Sequence, residues 1–161
     1  NAFNSKMIAS STSVISQSAQ GSASSTVLKM TKPGGSLGTN NAMKCEFGLG
    51  SNVLDIQANK FVSVEFSYGG SATTTANMSA GASELISKMF TFFLVANGAT
   101  NSQEGFWISG YGGSSTNQLL GSGTGTYSAD STVDQPFYVI ARSNDATTYF
   151  APDAIICTLI R

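Results

Sequence analysis

Two cysteines, nine carboxylates and one tryptophan are the side chains of this 161-residue chain best suited to chemistry, and no histidine assists them. The missing histidine removes the commonest general base, the commonest zinc ligand and the usual pH switch. Ser–His–Asp triads are excluded, however many serines are present. A Ser–Lys dyad needs a lysine desolvated beside a serine, and Ser5-Lys6 and Ser87-Lys88 carry no such signature. Paired carboxylates remain a route to glycoside hydrolysis, which needs two acids across a cleft. Glu46 and Glu65 fall on the polar faces of alternating segments, while Asp130, Asp134, Asp145 and Asp153 fall in loops. Solvated strand charges that discourage edge pairing explain the glutamates better than catalysis does. Asp130, Asp134 and Asp145 lack the spacing and turn glycine of a calcium loop. Gly121-x-Gly-x-Gly125 lacks the Lys-Ser/Thr and the helix of a phosphate loop, and reads as a flexible hairpin connection. No catalytic residue, metal site or cofactor is expected.

Cys45 and Cys157 sit near opposite ends of the chain, each on the apolar side of an alternating segment. If those segments are neighbouring strands, a disulfide would close a loop of over a hundred residues and stabilise by roughly 4–5 kcal/mol. Two buried free thiols acting as small hydrophobes fit the same pattern. Trp107 and Tyr111, with Asn117 and Gln118 following in a Gly/Ser/Asn loop, have the composition of a sugar-contacting surface. The alternation puts Trp107 opposite Phe106 and Ile108, so one set faces away from the core, and core packing of Trp107 is the plainer reading. Asn77-Met78-Ser79 fits a glycosylation sequon in a polar loop running from Ser71 to Gly81.

The elements that must position these residues are strands. Only 11% of residues are charged and the net charge is −1, which excludes a dense cationic face for nucleic acid. No apolar run approaches the roughly 20 residues of a membrane-spanning helix, so no membrane insertion is expected. The chain begins at Asn1 rather than methionine, as a cleaved leader, maturation or trimming would leave it. Residues 1–26 are polar, with isolated apolar side chains at Phe3, Met7, Ile8, Val14 and Ile15. They read either as a disordered segment or as an extended arm that becomes ordered when its apolar residues fill a groove on a neighbouring subunit.

From residue 27 to 161, period-two alternation dominates. Strands are expected at Val27–Met30, Ala42–Leu49, Val53–Gln57, Phe61–Tyr68, Met89–Val95, Phe106–Tyr111, Phe137–Arg142 and Ala154–Ile160, with weaker candidates around Leu119 and Tyr127. Ser83 and Glu84 could cap a short helix before the aromatic run at Met89. The expectation is an all-β chain of about nine strands, an antiparallel β-sandwich with jelly-roll topology and an extended N-terminal arm.

The charge-poor, Ser/Thr/Gly/Ala-rich strands and the segment from Tyr127 through Gln135-Pro-Phe-Tyr-Val-Ile-Ala to Ala154–Arg161 resemble small β-sandwich proteins of virus particles, notably phage capsid decoration, spike and fibre subunits. That resemblance implies a non-enzymatic structural subunit, a homo-oligomer contacting other virion proteins, with a virion or extracellular location. Low charge and short polar side chains agree, since copies repel weakly and lose little rotamer entropy on burial. Two other readings stay open. One is a lectin-like carbohydrate-binding module that contacts surface glycans. The other is a pilin-like filament subunit donating its N-terminal strand, against which the placement of Cys45 and Cys157 counts.

Overall fold

In a computed structural model, the described residues are 6–11, 17–19, 24–53, 60–80, 85–111, 121–143, 148–152 and 155–160. They form twelve strands. The first six are β1 (Lys6–Ser11), β2 (Gln17–Ala19), β3 (Ser24–Lys32), β4 (Ala42–Val53), β5 (Lys60–Tyr68) and β6 (Ser71–Ala80). The rest are β7 (Leu85–Ala99), β8 (Ser102–Tyr111), β9 (Gly121–Tyr127), β10 (Gln135–Ser143), β11 (Thr148–Pro152) and β12 (Ile155–Ile160).

The strands make two antiparallel sheets. The larger runs β1-β12-β4-β7-β8-β9, with β11 and β2 continuing the β12 and β1 positions, and the smaller runs β3-β10-β5-β6. With β1/β2 and β11/β12 each taken as one broken strand, first pairs with last, β3 with β10, β4 with β12 and β7, and β5 with β10 and β6. This nesting is jelly-roll order, and β8 and β9 widen the larger sheet beyond it.

The core lies between the sheets and is aromatic. Phe66 of the small sheet stacks on Phe92 of the large one at 4.9 Å, Phe92 on Phe137 at 5.1 Å, and Phe47 on Phe90 at 5.3 Å. Rings this large fill an inter-sheet gap of about 10 Å with few side chains. The Tyr127 hydroxyl donates to the Phe66 carbonyl at 3.2 Å and so ties the two sheets together.

Several expected boundaries move. Residues 6–11 and 17–19 pair with β12 and β11 of the same chain and so belong to the larger sheet. The expected turn at Gly50-Ser51-Asn52 is instead strand, because β4 runs on and pairs with both β11 and β7 there. No helix follows Ser83 among the described residues, since β7 already begins at Leu85. The expected polar loop from Ser71 is the edge strand β6, rich in β-branched Thr and joined to β5 by the two-residue turn Gly69-Gly70. Both glycines have positive φ, +63° and +85°, as a tight hairpin of matching twist requires. Asn77 therefore sits in a strand paired with Ser63. The glycines at 121, 123 and 125 are strand as well, in β9.

Candidate functional site

Alternation along β4, β7, β8, β9 and β12 sends one set of side chains inward and leaves the other on the sheet's outer face. On β7, Phe90, Phe92 and Leu94 are buried, while Met89 is 57% exposed. On β8, Trp107 is buried and Ile108 is 50% exposed; on β12, Cys157 is buried and Ile156 is 48% exposed. The register aligns these residues in rows across the sheet. One row reads Ile156, Glu46, Thr91, Ile108, Ser122, and the next reads Thr158, Lys44, Phe93, Phe106, Thr124.

Within the second row, Phe93 and Phe106 stack with ring centroids 4.6 Å apart and planes 13° from parallel. Lys44 and Glu46, two residues apart on one face of β4, form an ion pair of 2.8 Å. An apolar field of Met89, Phe93, Phe106, Ile108 and Ile156 thus surrounds one charge pair. A soluble monomer rarely leaves such a patch open to water.

At the β8–β9 side of this face, Glu104, Phe106, Thr124 and Thr126 wall a groove of about 280 Å³, with Gly105 and Gly125 also lining it. The Asn97 amide donates to Glu104 Oε1 at 3.4 Å. A ring, a carboxylate and two hydroxyls side by side can stack on and hydrogen-bond a polyhydroxylated ligand.

A second cluster closes one end of the sandwich. Lys32 is fully buried, and its Nζ donates to the Ser131 carbonyl at 2.7 Å. Gly35 N donates to the same carbonyl at 2.9 Å. Burial pulls the Lys32 ammonium below its usual range, against the opposing pull of Asp134 and then Asp130. Burial also pushes the Tyr68 phenol upward, with Asp130 adding to it, and its hydroxyl has no hydrogen-bond partner among the described residues. Asp130 accepts from Thr132 N at 2.9 Å and Thr132 Oγ1 at 2.6 Å, which holds its carboxyl below the usual range. Asp134 accepts from Gly34 N at 2.8 Å. These bonds fasten the 128–134 loop to the turn after β3. They are the interactions of a structural clamp.

Cys45 and Cys157 lie opposite each other on β4 and β12, with Cα atoms 4.1 Å apart, and are joined in a disulfide. Met30 Sδ of the facing sheet touches Cys157 Sγ at 3.1 Å, a packing contact, because the bonded sulfur has no proton to donate. Trp107 points into the core at 5% exposure, stacked at 6.4 Å on Phe66, so its ring is not on the surface where a sugar would sit. Its neighbours Phe106 and Ile108 take the outer face instead. Tyr111 ends β8, paired with Lys88, and Asn117 and Gln118 lie outside the described residues. So do Phe3, Val14 and Ile15, whereas Met7 and Ile8 belong to β1. Glu46 is tied to Lys44, Glu65 lies on β5, and Asp145 and Asp153 lie outside the described residues. No group of three or more metal-binding side chains occurs among the described residues.

The buried Lys32 and the outward Phe93–Phe106 pair were not singled out from sequence. The inward position of Lys32 was readable, since it continues the Leu28, Met30 alternation of β3. The Phe93–Phe106 pairing was not, because it depends on which strand lies beside which.

The chain matches no protein-family model and no curated protein. Among solved structures it is similar to the CBM2 module of the evolved Dit of Lactobacillus casei BL23 phage J-1. That likeness has 9% identity and a TM-score of 0.40, covering 82% of this chain and 68% of that one. It is also similar to arcelin-5, a lectin-like defense protein from Phaseolus vulgaris, at 11% identity and a TM-score of 0.40, over 76% of this chain and 73% of that one. Both are distant likenesses. No helix among the described residues is long and apolar enough to cross a membrane.

Proposed function

We propose that this chain is a non-enzymatic structural subunit of a virus particle, assembling with copies of itself through its larger sheet. The observation that carries the reading is the apolar outer face, where Met89, Ile108 and Ile156 are each about half exposed around the Phe93–Phe106 stack. Burying such a face returns roughly 25 cal/mol per Å² of apolar area. The buried disulfide supports an oxidising, extracellular setting. The charge-poor surface supports dense packing of copies.

A second reading is a carbohydrate-binding module, and the groove beside Phe106 favours it. The two readings make opposite demands on that ring, which assembly covers and a sugar needs open. Light scattering and negative-stain imaging of the full chain test them. A symmetric particle or oligomer, reduced in size by Ile108→Glu, supports the subunit. A monodisperse monomer that binds a glycan array, and loses binding on Phe106→Ala, supports the module instead.

A further inference from the structure

We infer that two copies of this chain pack outer face to outer face about a two-fold axis crossing β4 at Cys45, so that Lys44 of each copy stands opposite Glu46 of the other. The inference rests on the assembly reading above and names its partner and geometry.

The charge pattern argues for it. Lys44 and Glu46 flank Cys45 on one strand and share its outward face. A two-fold axis lying between the sheets and perpendicular to β4 lays that strand antiparallel over its copy. Position 44 then meets position 46, and the four charges alternate in sign around a square. Burying a lone ion pair in an apolar field is unfavourable, and a second pair of opposite charges offsets that cost. Like-for-like stacking with parallel strands would set lysine on lysine.

The apolar residues fit the same operation. Phe106 shares the row of Lys44 and Ile108 shares the row of Glu46, so Phe106 meets Ile108 of the second copy. Met89 pairs with Gly48 and Val95 with Ala42, so Met89 meets Val95 of the second copy. Sheets packed this way sit about 10 Å apart and within about 30° of alignment.

The area is sufficient. Five strands about 4.8 Å apart, each contributing roughly seven residues of about 3.4 Å rise, make a face of about 24 by 24 Å. Two such faces bury on the order of 1,150 Å², above the roughly 1,000 Å² that a specific interface needs.

Charge-reversal mixing in sedimentation velocity tests the arrangement on the full chain. In a homodimer Lys44→Glu puts four acids at the centre and Glu46→Lys puts four lysines there, so each variant alone should associate more than about tenfold more weakly than wild type. An equimolar mixture should regain the wild-type association as a heterodimer, identified by native mass spectrometry with one variant isotope-labelled. The double variant carrying both reversals keeps alternating signs and should self-associate like wild type, and circular dichroism checks that every variant is folded. Folded single variants that associate normally, or a mixture that regains nothing, overturn the two-fold packing while leaving a wild-type assembly in place. A wild-type chain that is monomeric at every concentration overturns the assembly reading together with it.

Discussion

Gly123 lies against the indole of Trp107: a Cβ built at Gly123 would stand 2.5 Å from Trp107 Nε1 and 2.9 Å from Cε2. Gly121, two residues earlier on the same face, would bring a Cβ to 2.8 Å from the far edge of the ring. The inward face of β9 has no side chain at either position because the tryptophan of β8 occupies that space. Gly123→Ala should therefore cost about 1–3 kcal/mol by overpacking. It should also shift the emission of this single tryptophan, followed during urea unfolding. Thr124→Ser, one residue away on the outer face, should be close to neutral. Equal effects at 123 and 124 would show that the ring does not fill β9.

The disulfide joins residues 112 apart in sequence. In the chain-entropy model a loop of that size is worth about 4–5 kcal/mol, an upper bound for a real denatured ensemble. Replacing both cysteines with alanine should lower the unfolding free energy, read from urea titrations, by up to about that amount. Both sulfurs sit in residues with no exposed surface, so thiol labelling of native protein under reductant should be slow until the fold opens.

Lys32 and Tyr68 give opposite slopes of stability against pH. The folded Lys32 ammonium titrates below its ordinary 10.5, so between those values the unfolded chain binds more protons and stability rises with pH. The folded Tyr68 phenol titrates above its ordinary 10.0, so beyond that pH the unfolded chain loses its proton first and stability falls. Tyr68→Phe should remove the alkaline fall. It should also stabilise by up to about 1 kcal/mol at neutral pH, because the hydroxyl it deletes is buried without a partner. Lys32→Met should remove the rise, with Gly35 N still bonded to the Ser131 carbonyl. Urea midpoints across pH 7–11 read both slopes, and a Tyr68→Phe curve superimposable on wild type would contradict the assignment.

Gly69 and Gly70 share a turn and a positive φ but differ in surroundings. A Cβ on Gly70 meets nothing nearby, whereas one on Gly69 collides with the Ala129 Cβ. Gly70→Ala should cost about 1–2 kcal/mol, the left-handed penalty alone. Gly69→Ala should cost more, because the 128–134 loop must also move. Thermal melts of the two variants side by side check the order.

The alternation of Met43, Cys45 and Phe47, and of Val64, Phe66 and Tyr68, is legible because the side-chain period of a strand is a local, covalent property. It was enough to read an all-β sandwich and to put both cysteines inward. The edge strand β6 was less legible, since Ser71–Ala80 carries little apolar contrast and takes its conformation from pairing with β5. The glycines of β9 looked like a flexible connection for a similar reason. What makes them strand is the ladder to β8, and the ring of Trp107 fills the space where side chains at 121 and 123 would stand; local sequence supplies neither.

By itself, the sequence determined which residues alternate, that no histidine chemistry is available, and that charge is too sparse for nucleic acid. Tertiary structure decided that Trp107 goes in while Phe106 goes out, that β4 and β12 are neighbours so that two distant cysteines meet, and that Lys44, Phe93 and Phe106 share one row. The physical reason is that strand periodicity is set by each residue's own backbone. Pairing and register, in contrast, are set by contacts between segments a hundred residues apart, whose free energy exists only once the sheets have formed.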